Sequence, residues 1–482
     1  MSRINCATVR LGTRRALSVA LLGLIVFLPA SALAGGDIVM VPPPNGVDDT
    51  ANIQAALNAC VVKGPNCTVQ LSAGHYFTKQ VVEYNFYGTF RGAGTDITTI
   101  EALPNLPVSL IIPGGTGQCV PNTSTCLWPS LIMFVEGNIG VSDLTIKASA
   151  VPATQPWPIL GGTVTMLLEV LGFRGKYPMN VSIDRVHMEG QTDNYPTDWG
   201  FNVMNGAHFT GELPRGSVLH DYYFLSGSFT VRNSYFKSFI AGISQDGFVR
   251  SSRVTIGGSP SAGNHFENNY VGTDIESSEN SVFELSFNES TSVSDSGAAM
   301  WVVPWDPAVF VPSSPSRYMI HDNKCYTTGQ YAEGILLLDD PTNPWIHAAV
   351  WNNTVELQNS QSEGIGVYNT KGTAIWNNSV AGSGGYDAIG LWNTRHDTVI
   401  NNNVSGFTVD STGYAQIYLD PSTTHDLVVC AERSDTVLNQ GTNNIIIGCL
   451  DPAATPASVT ESAAPFASTP NRVPPRGKPR VF

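Results

Sequence analysis

The chain repeats a short pattern of residues in its second half. The segment VYNTKGTAIWNNSV begins at Val367, and the similar segment LWNTRHDTVINNNV begins 24 residues later at Leu391. Recurrence at a fixed offset indicates one supersecondary unit that is used repeatedly. Versions of the unit begin at four isoleucines that are 24 to 30 residues apart, namely Ile335, Ile365, Ile389 and Ile417.

Each unit contains short segments in which apolar and polar residues alternate, with no helical pattern between them. Such a unit cannot bury its apolar face alone, but stacking one unit on the next buries a continuous core. The strands then run parallel, about 4.8 Å apart, and equivalent side chains form ladders. The four isoleucines are one predicted inward ladder, and the next consists of Leu337, Val367, Leu391 and Leu419.

Asparagines recur in the second half of the unit, at Asn233, Asn268, Asn323, Asn353, Asn378 and Asn402. A side-chain amide both donates and accepts hydrogen bonds, so stacked amides at a repeated turn can satisfy the backbone groups of neighbouring coils. We therefore predict an asparagine ladder along one turn of the coil.

Three segments near the start complete a pattern that resembles a known family. They are DDTANIQAALNAC, in which Asp49 or Thr50 can cap a helix, then VQLSAGHYF and GAGTDITTI. With the asparagine-marked coils, they resemble the pectate-lyase-like superfamily over about residues 37–449. The resemblance implies an all-β, right-handed parallel β-helix with an N-terminal capping helix. It also implies, in many members, cleavage of extracellular polysaccharide. The repeat period corresponds to roughly a dozen coils.

Both ends of the chain differ from the repeats. The first 34 residues carry a basic start, an apolar stretch over residues 16–28 and an Ala-Leu-Ala cleavage motif at residues 32–34. These features are typical of a secretory signal peptide, and the apolar stretch is too short to span a bilayer. We predict a secreted protein, extracellular or periplasmic, without membrane insertion. Residues 35–449 are the predicted β-helix domain, and residues 450–482, rich in Pro, Ala and Ser, are a predicted disordered tail.

The excess of acidic over basic residues limits the kinds of molecule that the protein is expected to bind. Four of the 25 basic residues are arginines of the signal segment, which leaves 21 basic against 39 acidic residues. This excess repels nucleic acid and anionic membranes, so neither is an expected partner. It would also repel an acidic polysaccharide, unless a divalent cation such as calcium bridges the two. Acidity of this degree also fits a protein that only needs to stay in solution.

The cysteines suggest an oxidising compartment. Three pairs are close in sequence and are predicted disulfides, Cys60 with Cys67, Cys119 with Cys126, and Cys430 with Cys449. Cys325 is left over at a core position of the repeat, where we expect a buried and unreactive thiol.

Alternation along a strand places one side chain inside the coil and the next outside it. With Ile335 and Leu337 inward, Tyr368 and Trp392 point outward on adjacent coils. We predict that these two rings stack in a ladder and bind the apolar faces of sugar rings. Outward aromatic side chains also pack beneath neighbouring loops, and that interpretation has equal weight.

Acidic residues extend the outward face toward the N-terminus. If Phe201, Ile243 and Ile275 align with the isoleucine ladder, the outward positions include Glu169, Asn202, Asp246 and Glu276. We predict that the first two bind substrate and that the last two, on adjacent coils, are catalytic. One carboxyl would protonate the leaving oxygen while the other activates water or attacks the sugar, and the proximity of like charges raises one pKa. Acids on exposed strands are more often simply solvated.

Two long loops interrupt the repeat spacing. GQTDNYPTDWGF includes Trp199, and MWVVPWDPAVF includes Trp305. Binding residues are concentrated on such loops, so both tryptophans are predicted to wall the substrate groove. The loops fit packed covers of the coil edges equally well.

Elimination is the alternative to hydrolysis. A lyase needs a base, plus a cation or an arginine that neutralises a uronate carboxylate. Calcium held by Asp246, Asp274 and Glu276 would supply that cation. Polygalacturonase catalysis is not expected, because Lys371 and Arg395 stand where that branch has the aspartate of its Asn-Thr-Asp motif.

The leading hypothesis is a secreted carbohydrate-active enzyme, either a glycoside hydrolase or a polysaccharide lyase. Its extracellular polysaccharide substrate would lie along the coil face. The runner-up hypothesis is a non-catalytic β-helix that binds glycans or serves as a surface adhesin. Products released from a polysaccharide would distinguish the two.

Overall fold

The computed structural model describes residues 36–103, 118–119, 126–127, 130–148, 166–172, 178–190, 199–205, 226–239, 241–246, 249–276, 278–293, 297–303, 312–358, 363–382, 387–407 and 415–450. Within strands, only the backbone is described for residues 118–119, 126–127, 166, 171–172, 199–205, 246 and 292–293. The predicted signal peptide, residues 451–482 of the predicted tail and the predicted groove residue Trp305 lie outside the described residues.

The described part of the chain begins with one helix among short strands and then contains strands alone. The first elements are β1 (Ile38–Met40), α1 (Thr50–Lys63), β2 (Cys67–Gln70), β3 (Gly74–Thr78), β4 (Val81–Arg91), β5 (Thr98–Ala102), β6 (Gln118–Cys119), β7 (Cys126–Leu127), β8 (Ser130–Lys147), β9 (Met166–Gly172), β10 (Met179–Glu189), β11 (Trp199–Asn205), β12 (Gly227–Arg232), β13 (Tyr235–Lys237), β14 (Ala241–Asp246), β15 (Val249–Arg250), β16 (Arg253–Gly257), β17 (His265–Glu267) and β18 (Val271–Ile275).

The remaining strands are β19 (Ser278–Glu279), β20 (Val282–Ser286), β21 (Glu289–Val293), β22 (Ala298–Val302), β23 (Ser316–His321), β24 (Lys324–Thr327), β25 (Glu333–Leu338), β26 (Ile346–Trp351), β27 (Thr354–Leu357), β28 (Ile365–Tyr368), β29 (Ala374–Trp376), β30 (Ser379–Ala381), β31 (Ile389–Trp392), β32 (Thr398–Ile400), β33 (Asn403–Ser405), β34 (Ile417–Leu419), β35 (Leu427–Val429), β36 (Val437–Asn439) and β37 (Ile445–Ile447).

The strands stack in parallel on three faces of a coil. The first sheet contains the start of β8, then β9, β11, β14, β18, β22, β25, β28, β31, β34 and β36. The second sheet includes β12, β16, β20, β23, β26, β29, β32, β35 and β37. The third sheet includes β13, β17, β21, β24, β27, β30 and β33. The predicted right-handed parallel β-helix is confirmed.

Both predicted inward ladders are confirmed. Ile335, Ile365, Ile389 and Ile417 are paired in this order on successive strands of the first sheet, and so are Leu337, Val367, Leu391 and Leu419. All eight side chains are buried in one continuous core. Each contributes on the order of 1.5–3 kcal/mol by leaving water. Like residues therefore recur because each coil must fit the one beneath it.

Residues with positive φ turn the chain from one face to the next. Strand β8 is 18 residues long and runs along all three faces. Its corners are at Glu136 (φ 56°) and Asp143 (φ 58°). Asn377 and Asn401 have the same conformation at later corners, with φ 55° and 54°. Asparagine tolerates this left-handed region better than most residues do, which explains its frequency at the turns.

The predicted asparagine ladder is present at the turn between the second and third sheets. Its members are Asn264, Asn288, Asn323, Asn353, Asn378 and Asn402. At each step the side-chain oxygen accepts hydrogen bonds from the asparagine of the preceding coil. Asn353 Oδ1, for example, accepts from Asn323 N at 3.0 Å and from Asn323 Nδ2 at 2.9 Å.

Two of the predicted ladder members were wrong. Asn233 is the left-handed corner residue (φ 51°), and Ser234, the next residue, takes the ladder position by donating its N–H to Asn264 Oδ1. Asn268 follows strand β17 and belongs to a different turn. Both errors arise because asparagine serves two turn roles, the left-handed corner and the stacked amide, which one sequence pattern does not separate.

Helix α1 packs against β1, β2 and β4. Its buried residues include the predicted Ile53, Leu57 and Cys60. The helix begins at Thr50, after Asp49, but the Asp49 carboxylate does not bond the helix end. It accepts hydrogen bonds from the N–H groups of Asn45 and Phe77 instead. Within the described ranges, no helix is long and apolar enough to cross a membrane.

The cysteines follow the predicted pattern where they are described. Cys60 is bonded to Cys67, and Cys430 to Cys449. Cys325 is a buried free thiol, and burial raises its pKa to about 12, so it is not a nucleophile at neutral pH. The backbones of the third predicted pair, residues 119 and 126, face each other in the β6–β7 ladder, but their side chains lie outside the described residues.

Buried aspartates hold the turns between the first and second sheets. Asp397 accepts hydrogen bonds from Thr373 N and Thr370 Oγ1, and Asp339 accepts from the N–H groups of Trp345 and Ile346. Burial raises the pKa of each carboxyl to about 7, although the hydrogen bonds from the backbone oppose this shift. Both carboxyls are therefore protonated in the folded protein at pH values where an unfolded chain ionises them.

We expect the protein to lose stability as the pH rises from about 4, the unfolded pKa, to about 7, the folded pKa. In that window the folded state holds more protons, and each carboxyl contributes a slope of up to about 1.4 kcal/mol per pH unit. Urea unfolding at about pH 5 and pH 7 measures the effect. Asp397→Asn should flatten the dependence, whereas the exposed control Asp37→Asn should not. A stability that rises over this range would contradict the assignment.

Candidate active site

The outward positions of the first sheet form three rows that cross the coils. The first row contains Glu169, Asn202, Ser244, Asp274, Trp301, Leu336, Gly366, Gly390 and Tyr418. The second row contains Asp246, Glu276, Val303, Leu338, Tyr368 and Trp392. The third row contains Ala241, Val271, Ala298, Glu333, Glu363 and Asp387. We call these residues the outer face.

The predicted catalytic residues occupy consecutive positions on the outer face. Gln245 pairs with Ile275, so the next residues, Asp246 and Glu276, follow each other in the second row. The alignment of Ile275 with the isoleucine ladder was wrong, because Thr273 takes that place. The error is two residues, and side chains alternate with a period of two, so Glu276 still points outward.

The acids toward the N-terminal end of the outer face are buried rather than exposed. Glu169, Asp274 and Glu276 are buried, with exposed fractions of 0%, 2% and 0%. They adjoin a second apolar cluster, outside the coil, whose buried members are Met133, Val135, Ala241, Val271, Ala298, Trp301, Val303, Leu336 and Tyr368. The expectation of acids on an exposed strand was therefore wrong for these three.

The two predicted ladder aromatics stack. The ring centroids of Tyr368 and Trp392 are 5.8 Å apart with an interplanar angle of 5°. The series continues to Tyr418, 4.7 Å from Trp392, which the sequence analysis did not single out. Tyr368 is buried and Trp392 is half-buried. Their predicted role in sugar binding stays a prediction.

Three acids that the sequence analysis missed lie in consecutive positions of the third row. Glu333, Glu363 and Asp387 each stand two residues before an isoleucine of the inward ladder. The backbone confirms their alignment, because Gly334 N donates to Glu363 O and Gly364 N donates to Asp387 O. The repeated starts Glu-Gly-Ile, Glu-Gly-Ile and Asp-Ala-Ile are visible in the sequence, but strict alternation would place these acids inside the coil. The alternation breaks at the start of these strands, because Ala298 belongs to the outer cluster whereas Ala299 and Met300 both belong to the inner core.

The Glu363 carboxylate is held in place from two sides. Its Oε2 accepts a hydrogen bond of 2.8 Å from the Tyr368 hydroxyl. Two glycines of the first row leave room for it. A Cβ at Gly366 would lie 2.8 Å from Glu363 Oε2, and one at Gly390 would lie 3.3 Å from that oxygen and 2.8 Å from Trp392 Nε1. The carboxylate thus lies above the glycines, beside both aromatic rings.

Glu333 and Glu363 differ in their environments. Burial, reinforced by the negative charge of Glu363, raises the pKa of Glu333 well above its usual value. Burial therefore favours the protonated, neutral form of Glu333. Burial and the charge of Glu363 also raise the pKa of Tyr368, which remains a hydroxyl donor. The arrangement places a carboxyl whose neutral form is favoured beside an acceptor carboxylate on the adjacent coil, about 4.8 Å away along the stack.

Several buried polar atoms of the outer face have no hydrogen-bond partner among the described residues. They are Glu333 Oε2, Ser244 Oγ and Trp301 Nε1. An unsatisfied buried polar atom costs about 1–3 kcal/mol. A polar ligand that lies along the face would satisfy these atoms.

Other predicted site residues are only partly described. Trp199 and Asn202 lie in strand β11, where only the backbone is described, and the same holds for Asp246 in β14. Within the side chains that are described, no three His, Cys, Asp or Glu residues come together as a metal site. Because the Asp246 side chain is not among them, the calcium site of Asp246, Asp274 and Glu276 stays a prediction.

The protein is therefore a right-handed parallel β-helix. Its outer face carries rows of acids and aromatic rings. Among solved structures, the Dettilon tailspike protein is similar with a TM-score of 0.51 and 13% identity, over 85% of this chain and 68% of that chain. The mannuronan C-5 epimerase AlgE6 A-module of Azotobacter vinelandii has a TM-score of 0.46 and 14% identity, over 84% and 95% of the two chains.

A third similar structure is the catalytic unit of the GH87 α-1,3-glucanase of Streptomyces thermodiastaticus, with a TM-score of 0.45 and 13% identity, over 88% of this chain and 71% of that chain. No protein-family model and no curated protein matches the sequence. At these identities the similarity concerns the fold, so function must be argued from the site.

Proposed function

We propose that the protein is a secreted carbohydrate-active enzyme that hydrolyses a polysaccharide lying along the outer face. The observation that carries this proposal is the placement of two buried carboxyls on adjacent coils. They are Glu333, whose pKa is raised by burial, and Glu363, which accepts a hydrogen bond from the Tyr368 hydroxyl. Hydrolysis of a glycosidic bond needs such a pair, because one carboxyl must donate a proton while the other acts as base or nucleophile.

In the proposed reaction Glu333 donates its proton to the glycosidic oxygen that leaves. Glu363 either removes a proton from the attacking water or attacks the anomeric carbon itself. In the second case the glycosyl ester on Glu363 is hydrolysed by water, which gives its proton to the now ionised Glu333. Tyr368 is a positioning residue, since its hydroxyl orients Glu363. The unpartnered Ser244 Oγ and Trp301 Nε1 are available to bind sugar hydroxyls farther along the face. The two disulfides fit the predicted export to an oxidising compartment.

The sequence-predicted pair remains a second proposal. Asp246 and Glu276 are consecutive in the second row, and with calcium at Asp274 they would support elimination from a uronate. The same outer face would then bind the substrate, with Glu169, Asn202, Trp199 and Trp305 as its proposed contacts. The pairs can be separated by mutation because they lie on different coils.

A substrate screen tests the proposal. The purified protein is incubated with neutral and acidic polysaccharides, with and without calcium. Reducing ends and the ultraviolet absorbance of unsaturated uronates are both measured. We expect new reducing ends without that absorbance. Unsaturated uronates would favour the elimination proposal. Binding of a polysaccharide without either product would overturn both and favour the glycan-binding alternative.

A further inference from the structure

The outward face of the second sheet has an arrangement of its own. One edge, at the turn that enters the sheet, carries cations and histidines, namely Arg317, His347, Lys371, Arg395, His396 and His425. In the middle row, Met319 is followed on the next coils by residues with small side chains, namely Ala349, Ala374 and Thr398. The next row begins with His321, Trp351 and Trp376. We call these three rows the second face.

The cations of the second face are aligned in two pairs. Arg317 pairs with His347 on the next strand, and Lys371 pairs with Arg395 through a β-bridge. All four side chains are exposed. Because Ala349 pairs with Ala374, the register places Lys371 and Arg395 one residue before the row of Arg317 and His347. Successive coils are about 4.8 Å apart, so the edge carries a band of positive or titratable groups, two rows wide, along the axis of the stack.

These cations differ from most of the other cations that the structure describes. Lys147, Arg185, Lys237 and Arg250 each form an ion pair with a glutamate or aspartate. By contrast, Arg317, Lys371 and Arg395 have no carboxylate within ion-pair distance among the residues that the structure describes. Although the chain has 39 acidic and only 25 basic residues, this edge carries three cations that no described carboxylate neutralises, so it can attract an anion.

The described acids near the second face do not form ion pairs with Arg317, Lys371 or Arg395, so the edge stays positive. Glu284 lies at its N-terminal side, within 3.7 Å of Arg253 and 3.8 Å of His321, and Asp322 is 2.7 Å from His321 Nδ1. Asp397 and Asp426 lie beneath the edge and are buried, and burial raises the pKa of both.

The aromatic row forms the opposite side of a shallow groove. The rings of His321 and Trp351 are 4.2 Å apart at 12°, and those of Trp351 and Trp376 are 5.0 Å apart at 4°. All three side chains are half-buried, so part of each ring is accessible. Ala349 and Ala374 keep the space between the rings and the cations open. Sugar rings with charged substituents suit such a groove, because aromatic carbon contacts their apolar faces.

We propose that the second face binds a carboxylated polysaccharide, laid along the axis with its carboxylates toward Arg317, Lys371 and Arg395. The band of cations matches a polymer that carries one charge per sugar more closely than it matches an isolated anion. The net acidity of the whole chain repels every polyanion, but it repels nucleic acid, with its denser charge, more strongly than a polyuronate. At the second face Arg317, Lys371 and Arg395 would take the place of a bridging cation. The inference does not depend on the proposed hydrolysis, since it concerns another sheet and other residues.

Binding of alginate and of polygalacturonate, measured by calorimetry at low and high salt with neutral dextran for comparison, tests this proposal. We expect both polyuronates to bind, more weakly as salt rises. The double variant Lys371→Glu with Arg395→Glu should bind about tenfold or more weakly. The neutral pair Lys371→Gln with Arg395→Gln should show a smaller loss, which excludes misfolding as the cause.

Two control variants test whether the polyuronates bind at the second face and not at the outer face. Lys79→Glu with Lys324→Glu makes the same change in net charge elsewhere and should leave the affinity unchanged. Glu333→Gln with Glu363→Gln changes the proposed active site and should also leave it unchanged. The proposal is overturned if neither polyuronate binds at low salt, or if the second-face variants bind normally. It is also overturned if duplex DNA binds as tightly as the polyuronates.

Discussion

Replacing Glu333 or Glu363 with glutamine should lower the turnover number by about 10²–10⁴-fold, the usual contribution of a general acid or base. Glutamine has nearly the same shape but can neither donate the proton that Glu333 supplies nor accept the one that Glu363 removes. The folded structure should persist. Glu333→Gln should not destabilise the protein, because the neutral amide replaces a carboxyl whose charged form is disfavoured by burial.

The pH dependence of the reaction provides a second readout. Glu333 must be protonated to act as acid, so the rate should fall as the pH rises through its raised pKa. Glu363 must be ionised, so the rate should fall again at low pH. Glu333→Gln should remove the alkaline fall and Glu363→Gln the acidic one, each measured on the residual activity.

The matched control is the pair Asp246→Asn and Glu276→Gln, on the same face but on other coils. If these variants lose activity while those at Glu333 and Glu363 keep it, the reaction belongs to the sequence-predicted pair. If all four variants keep full activity, the outer face is not the active site.

Asn353→Ala should lower the free energy of unfolding by roughly 3 kcal/mol or more, measured by urea denaturation. The side chain of Asn353 accepts two hydrogen bonds from Asn323 and donates to Ile320 O and Asn378 Oδ1, each at 2.9 Å. Alanine leaves several of these buried groups without a partner, at about 1–3 kcal/mol each.

An exposed asparagine provides the comparison for this effect. Asn343 is exposed and donates only to the adjacent Thr342 Oγ1 among described residues, so Asn343→Ala should change the stability by no more than about 0.5 kcal/mol. Equal unfolding midpoints for the two variants would show that the ladder does not stabilise the fold. A large effect for Asn353 alone would show that the stacked amides are an energetic element and not merely a recurring motif.

The inward half of the coil could be predicted from the sequence almost residue by residue. Ile335, Ile365 and Ile389 recur because each must fit the side chain below it, and a periodic constraint leaves a periodic pattern. The stacking of Tyr368 on Trp392 follows from the same alignment. Ile275 was misplaced because its strand carries Thr273 at the inward position, where an apolar residue was expected.

The candidate site was harder to predict, because no comparable constraint acts on outward residues. Glu333 and Glu363 are unremarkable in the sequence until the register places them on adjacent coils beside Tyr368. In the sequence, Lys371 and Arg395 were noticed only because they replace the aspartate of the polygalacturonase Asn-Thr-Asp motif. In the structure they pair at the edge of the second face, where no described carboxylate neutralises them. Burial of Glu276 likewise depends on what covers the face and not on strand alternation.

The repeat, the parallel coil and the two disulfides that the structure describes could be predicted from the amino-acid sequence alone, since they arise from spacings along the chain and from core packing that repeats with them. Which acids are buried, in which direction burial shifts their pKa and which described cations lack an ion pair could be seen only in the folded structure. Those properties depend on distance and desolvation between residues on different coils, about 24 to 30 positions apart in the chain.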